Sequence, residues 1–112
     1  MKLTCSQYGN LLYLSVRVIA IKTLKGFRRR HPDAEQPIKA WYAETKKADW
    51  QKPTDITKQY RTASILGNNR VVFNIKGNDY RLITVINYDF KIVYVRFIGT
   101  HKEYDKINAE EI

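Results

Sequence analysis

The chain has 112 residues with 44% apolar content, which suits one domain with a modest core and argues against disorder. Its 20 Lys+Arg against 11 Asp+Glu leave a net charge of +9, pointing to nucleic acid, another polyanion or an acidic protein partner. The single cysteine, Cys5, excludes an internal disulfide and a cysteine-based metal framework, so a reducing cytoplasm is the expected setting.

Residues 1–15 carry a short apolar patch at 11–14 that is too short for a spanning helix and lacks a small-residue cleavage pattern, so neither a membrane anchor nor a signal peptide is expected. They read as an extension of doubtful status, and the stretch from Val16 would itself make a sensible start. Residues 16–20 are β-branched and apolar enough for a short edge strand. Residues 21–30 place Ile21, Leu24 and Phe27 at helical spacing and turn Lys22, Lys25, Arg28 and Arg29 outward. His31-Pro32 ends that helix, because the residue before a proline is pushed out of the helical region.

A second helix is expected from Asp33 as N-cap to about Ala48. Its buried stripe is Ala34, Ile38, Trp41, Tyr42 and Thr45, with Pro37 in the first turn, where a missing N–H does little harm. The two helices make a hairpin able to cover a sheet, and Trp50 folds back onto it. Residues 56–60 suit a third short helix capped by Thr54 or Asp55. Residues 63–69 read as a loop.

The sheet lies in residues 71–76, 80–88 and 91–98, three β-rich runs separated by short polar breaks. Gly77-Asn78 suits a tight turn, which sets Ile75 opposite Tyr80, Asn74 opposite Arg81, Phe73 opposite Leu82 and Val71 opposite Thr84. A turn at Asp89-Phe90 sets Val85 opposite Tyr94, Thr84 opposite Val95, Ile83 opposite Arg96 and Leu82 opposite Phe97. One face then collects Val71, Phe73, Ile75, Tyr80, Leu82, Ile86, Val93, Val95 and Phe97 as a core. The other gathers Arg70, Asn74, Lys76, Arg81, Tyr94 and Arg96, with Val72, Ile83 and Val85 among them. Four cations on one face repel one another unless an anion occupies it. Edge cations also discourage aggregation, but Arg81 stands on a middle strand with no free edge.

Behind the last strand comes His101-Lys102-Glu103-Tyr104-Asp105. Two histidines seventy residues apart, with no CxxC and no paired acidic motif, do not spell a metal site. Metal-free RNA cleavage needs a group to move protons at the ribose 2′-OH and the departing 5′-oxygen, and a cation to neutralise the phosphorane. Histidine and arginine are the side chains for those two tasks, and tyrosine stacks on bases. Each has an ordinary use as well: His101 can end the strand or cap a helix, Lys102 can be a solvated face, Tyr104 can dock the tail onto the sheet, and Glu103 and Asp105 can serve surface pairs or helix capping. A non-catalytic RNA- or DNA-binding module would use the same basic face.

From Val16 to the C-terminus, and most closely over VVFNIKGNDYRLITVINYDFKIVYVRFIGTHKEYDKI, the chain resembles the HigB toxins of bacterial toxin–antitoxin systems, within the RelE-like superfamily. The resemblance implies an α+β fold over residues 16–112, with an N-terminal helix hairpin on a three- to four-stranded antiparallel sheet and a short C-terminal helix. It implies a ribosome-dependent endoribonuclease that cuts translated mRNA without cofactor or metal. The implied partner is a HigA-type helix-turn-helix antitoxin, through which alone operator DNA would be touched. On this pattern the catalytic set is His101, Arg81, Tyr104 and Lys102, and the RNA-binding set is Lys76, Asn74, Arg96 and Arg70.

Overall fold

The computed structural model describes residues 16–112, so the extension expected at 1–15 lies outside the described residues. Helix α1 (Ile21–Arg30) buries Leu24 and Phe27 and ends on Arg28, Arg29 and Arg30, where positive charge complements the carbonyl end of a helix dipole. The expected cap at Asp33 is replaced by a 3-10 turn over Pro32–Ala34, and α2 runs Glu35–Lys47. Asp33 is occupied elsewhere: its carboxylate accepts the Tyr80 hydroxyl at 2.8 and 2.9 Å and pairs with Lys76 at 3.1 Å. Helix α2 buries Ile38, Trp41 and Thr45, with Tyr42 at the margin of the core. Helix α3 (Pro53–Gln59) is started from inside its first turn, the Asp55 carboxylate accepting the Gln51 and Lys52 N–H groups at 2.9 and 3.3 Å.

The sheet has five described strands in the order β1-β5-β4-β3-β2: β1 (Arg17–Ile19), β2 (Ser64–Ile65), β3 (Arg70–Ile75), β4 (Tyr80–Asn87) and β5 (Ile92–Thr100). Two strands flank the expected meander, and the first of them is the edge strand expected at residues 16–20. β1 lies parallel to β5, with Val18 beside Val93, so the sheet is mixed rather than antiparallel. β2, two exposed residues inside the expected loop, pairs with Val71 and Val72 at the other edge.

The β3–β4 hairpin has the expected register throughout, from Val71 opposite Thr84 to Ile75 opposite Tyr80. The backbone of its turn is left-handed at Lys76 (φ 54°) and Gly77 (φ 63°). The β4–β5 hairpin begins as expected, with Val85 opposite Tyr94 and Thr84 opposite Val95, but a bulge follows. Ile83 then faces Phe97 rather than Arg96, and Leu82 faces Ile98 rather than Phe97. One extra residue flips every side chain beyond it to the other face.

The helices cover one face of the sheet. Leu24, Phe27, Ile38, Trp41, Ile56, Val71, Phe73, Leu82, Val93 and Val95 are buried there, joined by Ile98 in place of the expected Phe97. Trp50 does fold back, its ring stacked at 5.9 Å on Phe73. The opposite face is not uniformly polar. Val72, Ile83 and Ala109 are buried on it beneath a second, smaller core completed by Leu66, Phe97, Tyr104, Ile107 and Ile112. The segment after β5 therefore returns across the sheet. Its first piece is the short helix α4 (His101–Asp105).

Candidate active site

The site is assembled where β4 begins and β5 ends, beside α4. Tyr80 stands directly opposite Thr100 and Arg81 opposite Gly99, so the Arg81 side chain rises on the face away from α1 and α2. Gly99 is small because its neighbours close over it. A Cβ there would meet Phe97 Cζ at 2.5 Å and Glu103 Oε1 at 2.8 Å. The bulge is what brings Phe97 to that side.

Thr100 begins α4 with reciprocal caps: its N–H donates to Glu103 Oε1 at 2.8 Å, and its Oγ1 accepts the Glu103 N–H at 3.2 Å. Such a box satisfies two donors left open at a helix start. The Thr100 N–H bond is the main reason that the Glu103 carboxyl titrates below its usual range. His101, the first helical residue, is fixed by this box while its ring stays half-exposed.

Arg81 reaches it. Arg81 Nη2 lies 2.8 Å from His101 Nε2, and Nη1 donates to the Asn78 carbonyl at 3.2 Å. The guanidinium carbon stands 5.9 Å from the centre of the Tyr104 ring, within cation–π range. His101 Nδ1 lies 3.5 Å from Asp105 Oδ2, one helical turn on. Arg81, His101 and Tyr104 thus form one cluster with Asp105 behind it. Asn74 stands opposite Arg81 on β3, and Lys102 is exposed on α4.

The other three expected contacts are held elsewhere. Lys76 bridges Asp33 at 3.1 Å and Asp79 at 3.0 Å, which raises its pKa and, with the Tyr80 hydroxyl contributing most, lowers that of Asp33. Arg70 donates to the Ile112 backbone oxygen at 2.6 Å and to the Asn68 carbonyl at 3.1 Å. Arg96 Nε approaches the same Ile112 oxygen at 3.4 Å. Part of the repulsion among the face's cations is therefore relieved by the chain's own carbonyl and carboxylate oxygens. Asp105 is the member of the cluster that the sequence reading left as a surface residue. Its signal was the four-residue spacing from His101, which puts two side chains on one side of a helix.

Among the described residues no group of three or more His, Cys, Asp or Glu is placed to hold a metal ion. No described helix is long and apolar enough to cross a membrane.

Residues 34–107 match the family HigB_toxin, described as the RelE-like toxic component of a toxin–antitoxin system. The chain is similar to the mRNA interferase toxin HigB of Escherichia coli (strain K12), at 25% identity over 96 residues that cover 84% of this chain and 92% of that protein. The mRNA interferase HigB of Shigella flexneri matches with the same figures, 25% over 96 residues. The mRNA interferase HigB of Escherichia coli O6:H1 is 27% identical over 81 residues, covering 70% of this chain and 79% of that protein.

Proposed function

The chain belongs to the HigB toxin family, and from that premise we propose that it is an endoribonuclease, an mRNA interferase that cuts translated mRNA on the ribosome. The observation that carries this reading is the contact of Arg81 with His101 beside the Tyr104 ring. In the proposed reaction the ribose 2′-OH loses its proton and its oxygen bonds to the adjacent phosphorus. The bond from phosphorus to the 5′-oxygen breaks, and that oxygen gains a proton, leaving a cyclic 2′,3′-phosphate and a 5′-hydroxyl. His101 carries a proton in this exchange, Arg81 neutralises the phosphorane, and Tyr104 stacks on a base or orients the ribose. Lys102 and Asn74 flank the cluster as substrate-positioning groups. Lys76, Arg70 and Arg96 serve RNA only by exchanging their present partners for phosphate.

A HigA-type helix-turn-helix antitoxin holds the enzyme inactive in the cytoplasm, and operator DNA is engaged only through it. The competing reading is a basic RNA-binding module that needs no proton transfer. Expression without antitoxin separates the two. Wild type arrests growth, and primer extension on a translated message shows new 5′ ends. His101→Gln lowers cleavage by about a hundredfold or more, and Arg81→Ala by roughly a hundred- to a thousandfold, with both variants folded. Undiminished toxicity of a folded His101→Gln variant rules out His101 as the proton carrier, whereas a wild type that neither arrests growth nor cuts the message leaves the binding module.

A further inference from the structure

The donors and acceptors in the cluster decide where the histidine's proton sits. A guanidinium has donors only, so the 2.8 Å approach of Arg81 Nη2 to His101 Nε2 requires Nε2 to offer its lone pair. The ring is then neutral, and its one proton is on Nδ1. That nitrogen faces the Asp105 carboxylate at 3.5 Å, a distance of electrostatic approach that a small side-chain movement converts to a hydrogen bond.

Asp105 has no helical reason to be an acid. It closes the five-residue α4, and a carboxylate beside the last carbonyls of a helix is unfavourable. The Asp105 carboxylate forms no ion pair with Lys or Arg among the described residues, and the side chain it faces is the His101 imidazole. Both it and the imidazole are open to solvent on one side, as groups meeting a substrate must be.

We propose that Asp105 is the positioning residue of this site, holding the His101 proton on Nδ1 so that Nε2 is the atom that exchanges a proton with RNA. In the RNA-free protein Arg81 covers Nε2. A phosphate that draws the guanidinium away exposes the lone pair beside the ribose it is to act on. Asp105 then keeps the ring in place once Arg81 has let go, and faces the imidazolium that forms.

This role deepens the nuclease reading and rests on it, but its decisive measurement needs no RNA. Heteronuclear NMR of the full chain, at a pH where the ring is neutral, reads which imidazole nitrogen carries the proton. Wild type shows the proton on Nδ1. Arg81→Ala, which removes the competing restraint, still shows it there, because Asp105 alone holds it. In Arg81→Ala/Asp105→Ala the proton moves to Nε2, the form an unrestrained imidazole favours, and Arg81→Ala/Asp105→Asn, which keeps an acceptor oxygen, returns it to Nδ1. In parallel, Asp105→Ala slows cleavage about tenfold or more, a share of the acid–base contribution, with no loss of thermal stability. The proposal is overturned if Arg81→Ala alone moves the proton to Nε2, or if Asp105→Ala cleaves at the wild-type rate. Either result leaves the nuclease reading intact, whereas wild type that cuts nothing sinks the nuclease reading without altering the measured ring form.

Discussion

Replacing Gly99 with alanine tests the packing that holds the site together. Three atoms crowd the new methyl group: Phe97 Cζ at 2.5 Å, Glu103 Oε1 at 2.8 Å and Phe97 Cε2 at 3.0 Å. Ordinary carbon contacts lie near 3.5–4.0 Å, so the ring must retreat by about 1 Å. It cannot swing freely, because Phe97 also packs against the buried Val72 and Ile83. Overpacking of this kind costs about 1–3 kcal/mol. Two effects oppose each other, since alanine also narrows the unfolded ensemble and would return about 0.4–1 kcal/mol if it fitted. Gly99 does not have the left-handed φ of Gly77, so any net loss comes from the contact and not from the backbone. The expected result is destabilisation of about 1–2 kcal/mol, read by urea denaturation followed by circular dichroism. Cleavage falls further than stability, because the displaced Glu103 carboxylate no longer caps Thr100 and His101 drifts from Arg81. The refuting measurement is a double-mutant cycle with Phe97→Ala. Removing the ring should recover about 1 kcal/mol of the Gly99→Ala cost, and additivity within about 0.5 kcal/mol would show that the ring is not the obstacle.

Three further outcomes follow from particular contacts. Asp33 and Glu103 titrate below their usual values, Asp33 chiefly through the Tyr80 hydroxyl and Glu103 chiefly through the Thr100 N–H. Each carboxylate's contribution is therefore fully present above about pH 5 and is lost as pH falls through about 4 towards the lowered folded value. Denaturation of Asp33→Asn across that window should show a shallower acid slope than wild type, and identical slopes would refute the linkage. Ile83→Ala, at a position with 0% exposure in the second core, should cost about 2–5 kcal/mol. Hydrogen exchange should then show the segment after α4 losing protection before the helix-covered core does, and uniform loss would refute a separable tail. Asp55→Ala should lower stability by about 0.5–2 kcal/mol by removing the acceptor for two N–H groups at the start of α3, and an unchanged melting temperature would show that solvent serves them equally well.

Much of the site was readable because it follows from a single register. A glycine in the turn and the apolar–polar alternation nearest it, Phe73-Asn74-Ile75 and Tyr80-Arg81-Leu82, determine the β3–β4 pairing, and that pairing puts Arg81 on the face away from the helices. The β4–β5 pairing was readable only as far as Val95. Beyond it Arg96, Phe97 and Ile98 offer two apolar residues in a row, so local alternation accommodates either register equally. What chooses between them is tertiary: Ile98 enters the helix-covered core, and Phe97 is taken by the core under the tail. The parallel sense of β1 was likewise out of reach, since no turn joins it to β5. Val72 and Ile83 did signal a cover for the second face, as apolar residues among cations. The C-terminal segment was legible as that cover only through Tyr104, whose ordinary use is to dock the tail and which does pack against this second core.

The same tail explains why a face rich in arginine and lysine offers so small a free centre. Ile112 supplies an oxygen to Arg70 and Arg96, and Asp33 and Asp79 take Lys76. Arg81 is the cation of this group whose partners are a backbone carbonyl and the histidine itself. A neutral acceptor binds a guanidinium less strongly than a carboxylate or phosphate does. An incoming phosphate thus displaces the Arg81–His101 contact more readily than the Lys76 ion pairs with Asp33 and Asp79, and the guanidinium it draws away is the one that stands against the proton-transfer group.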